Sequence, residues 1–297
     1  MLGAACYGTG PTVPKSYPPM GLSGRQTATR RSKTGVRARF PSTAVCESRC
    51  VRMPRQRRLV LPEVATHIIQ RGNNKGAVFL GDGDCLAYLH HLRELAASLD
   101  CRVHAYCLMT NHVHLLVTPP SLAACISMMR NLGQRYAQYF NRRHARSGTL
   151  WEGRFRSCMV ESAAYVLACY RYIELNPVRA GMVSTPDAYR WSSHCANAGT
   201  RADTLVCAHS EYLALATTPP ARLIAYRGLF ETELAPSLLR SIRESTSAGY
   251  PLASASFKAL IAGAHRKIGP GRSGRPPKEA NGPKDEAQPD LLTETGL

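Results

Sequence analysis

Apolar and polar positions alternate through the middle of the chain in a pattern that predicts seven regular elements. Strand-like runs occur at 64–72, 101–109, 112–118 and 155–161. Apolar residues recur at helical spacing over 84–100 and 123–144, and again between Ser162, a candidate N-cap, and Pro177. Gly133 is expected to weaken the second helix locally. The order strand, helix, strand, strand, helix, strand, helix predicts an α+β, ferredoxin-like antiparallel sheet with helices covering one face.

Composition divides the chain into four parts. Residues 1–52 carry nine Lys or Arg against one acid, Glu47, without a sustained apolar period, which predicts a disordered basic leader. The seven elements fall in a folded domain over 53–200. Short amphipathic patterns predict a helical accessory region over 201–268, and Gly- and Pro-rich sequence predicts disorder over 269–297.

The two predicted disordered ends have alternative interpretations. Translation that starts at Met53 would make residues 1–52 an upstream artefact, whereas a translated leader would be a basic DNA-binding arm. The tail places Arg272 and Arg275 on a flexible backbone, as in arms that enter A·T-rich minor grooves. A simple solubilising tail explains the same composition.

Charge narrows the class of partner. The chain has 38 Lys and Arg against 20 Asp and Glu, a net charge of +18, which favours an acidic polymer and above all nucleic acid. No apolar run approaches the roughly 20 residues of a membrane-spanning helix, so no membrane partner is expected. The eleven cysteines are odd in number and lack a paired CxxC arrangement, which indicates reduced thiols in the cytoplasm.

Two histidines share one face of the strand predicted at 112–118. Side chains alternate along a strand, so His112 and His114 point the same way while Val113 and Leu115 point the other. Such a pair is either satisfied by hydrogen bonds on a half-buried strand or forms half of a divalent metal site. The second interpretation requires a further ligand from elsewhere in the chain.

The third predicted helix offers that ligand. Tyr172 and Asn176 stand four residues apart and are neighbours on one helical face, whereas Tyr170 lies about 200° around the helix from Tyr172. An amide oxygen is a ligand for hard cations, and a phenol beside it is a candidate nucleophile. The alternative is ordinary, with Asn ending the helix and Tyr partly in the core.

Arginines and aromatic residues alternate between the second helix and the fourth strand. Cationic grooves and aromatic stacking are how proteins hold single-stranded DNA. Tyr136 and Phe140 are also explained as core residues, and Trp151 as a loop anchor. The predicted DNA-binding residues are Arg135, Arg142, Arg143, Arg154, Arg156 and Trp151.

A family resemblance joins these motifs. The segments HIIQRGNN, LMTNHVHLLVTP, QYFNRRH, SGTLWEGRF, CYRYIELNPVRAGMV and YRWSSH, spread over about 53–200, resemble the REP-associated tyrosine transposases. These are relatives of the single-tyrosine transposases in the HUH endonuclease superfamily. The resemblance places the family's histidine pair on His112 and His114, its nucleophile on Tyr172 and its third metal ligand on Asn176.

The resemblance implies an HUH fold and a bacterial transposase that works in the cytoplasm at the nucleoid. Mg²⁺ or Mn²⁺ would be the cofactor, and single-stranded or REP-like hairpin DNA the partner. Cleavage would leave a 5′-phosphotyrosine and a free 3′-hydroxyl. The protein would act as a monomer or as a homodimer, with Tyr172 acting in cis or in trans accordingly.

Two other functions remain open. A rolling-circle initiator or relaxase shares the HUH chemistry, but the continuous match at ELNPVRAGMV favours the transposases. A cleavage-inactive DNA-binding repressor is also compatible with the sequence, although all four candidate active-site residues are present.

Overall fold

A computed structural model describes residues 58–262 together with 268 and 269. The predicted leader, Met53, Arg272 and Arg275 lie outside these residues. The strands are β1 Thr66–Arg71, β2 Arg102–Met109, β3 His112–Thr118 and β4 Arg156–Met159. The helices are α1 Asp82–Ser98, α2 Leu122–Arg143, α3 Ala163–Glu174, α4 Asn176–Arg179, α5 His194–Asn197, α6 Ser210–Leu213, α7 Pro219–Gly228, α8 Pro236–Ala248 and α9 Ala255–Ala262.

The four strands form one antiparallel sheet in the order β2-β3-β1-β4. Strand β1 lies in the middle and pairs with β3 and β4, while a short link at Thr110 and Asn111 joins β2 to β3. Together with the order of the helices, this topology confirms the predicted α+β, ferredoxin-like class. The observed element bounds lie within two residues of the predicted ones for β1, β2, β3, α1 and α2.

Both faces of the sheet are covered, each by its own apolar core. Helices α1 and α2 pack on the face formed by Ile68, Leu108, Val113 and Leu115. The third predicted helix, α3, does not share this face, contrary to the expectation of helices on one face only. On the opposite face, which includes Leu116, lie α3 and helices from the C-terminal region. Helix α8 packs directly against β4 and β1. The residues after 200 therefore form part of the structure that surrounds the sheet.

Two local predictions concern α2 and α3. Helix α2 continues unbroken through Gly133, where a Cβ atom would lie only 3.1 Å from Gln70 Nε2, so the glycine serves close packing. Ser162 occupies the N-cap position of α3 at a positive φ of 85°, but its side chain makes no capping hydrogen bond, and the predicted cap is wrong.

The structure bears on two expectations drawn from composition, one about cysteines and one about membrane-spanning helices. The eight cysteines within the described range are all free, and six of them are buried. Of the helices between 58 and 262, none is long and apolar enough to span a bilayer.

Candidate active site

A cleft of about 470 Å³ opens where β3 meets the end of α3. Strand β3 directs His112 and His114 into it from the sheet, and α3 and α4 bring Tyr172 and Asn176 to it from the opposite side. All four predicted active-site residues therefore line one cavity. Its lining consists of Ile69, Arg71, Lys75, Asn111, His112, His114, Glu152, Arg154, Arg156, Tyr172, Asn176, Arg243 and Ser247.

The rings in the cleft are in close contact. The centroids of His112 and His114 are 4.9 Å apart, and the ring of Tyr172 meets His114 edge-on at 5.6 Å. Tyr172 is 5% exposed, and among the described residues its hydroxyl has no hydrogen-bond partner. The phenol is thus held firmly by its ring while its oxygen is free to meet a ligand in the cleft.

Each cleft histidine uses Nδ1 in a hydrogen bond and keeps Nε2 available. His112 Nδ1 lies 2.6 Å from Asn111 Oδ1, and His114 Nδ1 lies 3.0 Å from His67 Nε2. Burial, aided by the charge of Arg71, lowers the pKa of His112 to about 4, and burial places the pKa of His114 well below its ordinary value. Both imidazoles are neutral near pH 7, which is the form that binds a metal ion.

Asn176 completes a donor set that suits a small divalent ion. Its Oδ1 accepts a hydrogen bond from Arg179 Nη2 at 2.9 Å, which leaves a second lone pair on that oxygen. Its Nδ2 is buried without a partner among the described residues. Two neutral imidazoles and one amide oxygen fit Mg²⁺ or Mn²⁺ with open positions for a substrate. This arrangement is compatible with the metal site predicted from sequence.

Two residues behind the cleft did not enter the prediction. Arg179 stacks on the Tyr172 ring at 4.5 Å and also bonds the Tyr172 carbonyl, so it ties the phenol to Asn176. His67 is fully buried, with its ring stacked on His114 at 5.2 Å. Both lie in motifs that were recognised, HIIQRGNN and NPVRAGMV. Strand alternation over 66–71 could have revealed His67, because it places His67, Ile69 and Arg71 on one face.

The predicted DNA-binding residues fall into two groups. Arg154 and Arg156 are exposed and line the cleft. Arg135, Arg142 and Arg143 lie on α2, which covers the opposite face of the sheet. Arg135 lies 3.5 Å from Glu94 and Arg143 lies 3.6 Å from Asp84, while Arg142 is exposed.

Trp151 is buried rather than displayed on the surface. Its indole N–H donates to the Gly133 carbonyl at 3.0 Å, and its ring packs near Tyr88 and Tyr136. Only 8% of the residue is exposed, which leaves little of the ring for a base to stack on. The loop-anchor interpretation describes this position, and a DNA contact through Trp151 stays a prediction.

Further cations reach the cleft from segments that were not assigned a site role. Arg71 and Lys75 flank it from the end of β1, and Arg243 reaches it from α8. The one acidic residue in its lining, Glu152, is paired with Arg71 at 2.8 Å. The cleft is therefore strongly cationic, which suits a phosphate chain.

Another histidine cluster lies away from this cleft. His90, His91 and Glu94 on α1 are close enough to share an ion, but α1 packs on the other face of the sheet. His90 and Glu94 are exposed, and Glu94 also contacts Arg135. This surface group offers no route to Tyr172.

Comparisons with known proteins identify the central segment. Several solved structures resemble part of the chain, among them two transposase structures. One, described as the "REP associates tyrosine transposase bound to a REP hairpin", is 15% identical with a TM-score of 0.43, covering 54% of this chain and 93% of its own. The other is a putative transposase from Deinococcus radiodurans, 19% identical with a TM-score of 0.29, covering 38% and 91%.

No curated protein matches the chain. A family model described as "Transposase IS200 like" matches residues 61–176. This segment begins before β1 and ends at Asn176, so it contains both cleft histidines and Tyr172. Residues 61–176 are therefore similar to the IS200-like transposase family.

Proposed function

We propose that the protein cleaves and rejoins single-stranded or hairpin DNA through a covalent bond to Tyr172. The observation that carries this proposal is the contact of the Tyr172 ring with His114, in a cationic cleft that His112 and Asn176 also line. A nucleophile, a neutral donor set and phosphate-binding charge thus occur together in an IS200-like transposase domain.

In this mechanism His112, His114 and Asn176 would hold one Mg²⁺ or Mn²⁺. A divalent ion in that position supplies a positive charge that polarises the scissile phosphate and neutralises the charge that develops on it. Arg179 contributes by fixing the Tyr172 ring and the Asn176 oxygen in one geometry. The protein's own residues therefore place the phenol oxygen on the side of the cleft where a held phosphate would lie.

The covalent step exchanges one phosphodiester for another. The Tyr172 oxygen attacks phosphorus as its proton leaves, and the bond from phosphorus to the 3′-oxygen breaks. One fragment ends in a 3′-hydroxyl, and the other is joined to Tyr172 through its 5′-phosphate. Attack by a 3′-hydroxyl reverses the step, so rejoining requires no ATP.

Charge on the cleft wall would hold the DNA. Arg154 and Arg156 lie in the cleft and also in an adjoining groove of about 350 Å³, which Arg58 helps to line. A phosphate chain that follows these residues would reach Tyr172 past Arg243. We assign phosphate contacts to these cations. Arg154, Arg156 and Arg243 are exposed and Arg58 is half-buried, whereas the α2 residues Arg135 and Arg143 lie next to acidic side chains.

Tyr172→Phe tests the function with the loss of one oxygen atom. The variant keeps the ring and its packing, so folding and DNA affinity should change little. With a labelled hairpin oligonucleotide from the DNA that flanks the gene, wild-type protein should give a protein-linked band on a denaturing gel. That band should require Mg²⁺ or Mn²⁺, vanish in EDTA and be absent from the variant.

Tyr170→Phe is the matched control. Tyr170 is buried on the same helix beside Tyr212 and Tyr226, away from the cleft, so its variant should retain the covalent product. A product that persists in Tyr172→Phe and disappears in Tyr170→Phe would reassign the nucleophile. Binding by wild-type protein with no covalent product on any flanking hairpin would favour a cleavage-inactive repressor.

A further inference from the structure

Helix α8, which lies outside the segment matched to the transposase family, reaches the back of the cleft. Its Thr246 is completely buried, and Thr246 Oγ1 lies 2.9 Å from His67 Nδ1. His67 Nε2 in turn lies 3.0 Å from His114 Nδ1. A continuous line of hydrogen bonds therefore links α8 through β1 to one of the two cleft histidines on β3.

The direction of these hydrogen bonds is set by Thr246, which lies at one end of the line. Its hydroxyl lies 2.8 Å from the carbonyl of Ile242, and a carbonyl only accepts, so the single hydroxyl proton is committed there. The two lone pairs of the same oxygen then face His67 Nδ1 and the thiol of Cys158, which is 3.2 Å away. Both neighbours must donate, and His67 accordingly carries its proton on Nδ1.

The position of the proton on His67 in turn determines its position on His114. His67 is fully buried, and burial disfavours the charged ring. A neutral imidazole has one N–H, so His67 Nε2 is an acceptor and His114 Nδ1 must be the donor. His114 is therefore left with an unprotonated Nε2. His112 reaches the same state locally, because its Nδ1 bonds its sequence neighbour Asn111.

We propose that His67 and Thr246 are positioning residues that lock His114 in its Nδ1–H tautomer, with Nε2 presented to the cleft as a ligand. The metal-binding role of this tautomer rests on the function proposed above. The tautomer itself is a property of the metal-free protein. Partners of this kind orient metal-binding histidines in general, and their loss typically costs about 10- to 100-fold in metal affinity. Helix α8 is then part of the active site.

The tautomer is tested by nitrogen NMR of the metal-free, ¹⁵N-labelled full chain. In wild-type protein both His67 and His114 should be protonated at Nδ1. Thr246→Val keeps the shape of the side chain but removes the hydroxyl, so His67 loses its acceptor and His114 should populate the Nε2–H form. Mn²⁺ affinity, measured by calorimetry, should fall about 10- to 100-fold in this variant.

Two further variants separate positioning from folding. Thr246→Ser restores the hydroxyl and should restore both the tautomer and the Mn²⁺ affinity. Ser241→Ala removes a hydroxyl that makes the same kind of bond on the exposed face of α8, to Ser237, and should behave as wild type. If Thr246→Val does not fold, the wild-type tautomers still decide the proposal, because an Nε2–H form of His114 contradicts it.

Two outcomes would overturn the proposal. An Nε2–H tautomer of His114 in wild-type protein contradicts the direction of the hydrogen bonds, and an unchanged tautomer in folded Thr246→Val removes the role of α8. A wild-type protein that shows the expected tautomers but binds no Mn²⁺ would support the positioning of His114 and contradict the metal mechanism. The experiments can therefore contradict the positioning proposal or the proposed function, each without the other.

Discussion

At the scale of single residues, burial controls the charge of several histidines. His104 shows this away from the cleft, because its Nδ1 donates to the Cys207 carbonyl at 2.8 Å and its Nε2 lies 2.8 Å from Thr118 Oγ1. Burial lowers the pKa of His104 to about 4, although the Cys207 carbonyl opposes that shift. The folded protein therefore holds His104 neutral over a range of pH in which an unfolded chain would protonate it.

Folding stability should fall with acid on account of His104. Its pKa is lower in the folded state than the usual value of about 6.5, so its contribution is complete above pH 6.5 and is lost as the pH falls toward 4. At about 1.4 kcal/mol per pKa unit, the loss approaches about 3 kcal/mol. Urea unfolding at pH 7 and pH 4.5 measures it. His104→Gln should show a shallower dependence on pH, and an equal dependence would refute this account.

Among the elements, α3 is held by a buried carboxylate on the side away from the cleft. Glu174 is fully buried and accepts hydrogen bonds from four side chains that follow α4 in the chain. These are Ser193 at 2.6 Å, His194 at 3.1 Å, Asn197 at 2.8 Å and Tyr226 at 2.7 Å. Since Tyr172 and Glu174 share α3, this cluster also fixes the helix that carries the proposed nucleophile.

Glu174→Gln should destabilise the fold by about 2 to 4 kcal/mol, because one amide oxygen cannot satisfy four buried donors. Tyr226→Phe removes only one of the donors and should cost about 1 kcal/mol. Glu244→Gln on the exposed face of α8 is the control and should change little. Denaturant midpoints report all three. A Glu174→Gln protein as stable as wild type would show that the cluster does not anchor α3.

Patterns within elements explain why the sequence predicts much of this fold. Alternation along β3 separates His112 and His114 from Val113 and Leu115, and the helical repeat separates Tyr172 from Tyr170. Both separations appear in the structure. Alternation does not say what covers each face, however. The helices on the second face, and the burial of Trp151, depend on contacts between distant segments.

The same limit applies to the candidate site. The cleft residues were recognisable because strand and helix periods bring them together in pairs, but no local pattern connects Thr246 to His67, which lie 179 positions apart. The position of Arg243 in the cleft was likewise not recognisable, because the helical pattern of its segment indicates only an amphipathic surface.

On the scale of the whole molecule, one chain supplies every residue of the candidate site. Tyr172 and His114 approach within 5.6 Å between ring centroids in a single chain. We therefore expect Tyr172 to act in cis, with the metal ligands of its own chain.

Mixing two inactive variants tests this arrangement. Tyr172→Phe lacks the nucleophile and His114→Ala lacks a ligand, so a cis site stays inactive in their mixture, as judged by the covalent DNA product. A site shared between subunits would regain up to about a quarter to a half of wild-type product from mixed dimers. Recovery of product would therefore show that Tyr172 acts in trans.

The link between Thr246 and His67 also bears on when the proposed active site is completed during synthesis of the chain. Strands β1 and β3 leave the ribosome early, whereas α8 is made well over a hundred residues later. A nascent chain that already contains Tyr172 and both cleft histidines still lacks the hydroxyl that orients His114. Under the positioning proposal, a polypeptide released before Thr246 would carry the full family motif and yet be a poor nuclease, so incomplete translation products would pose little danger to the genome.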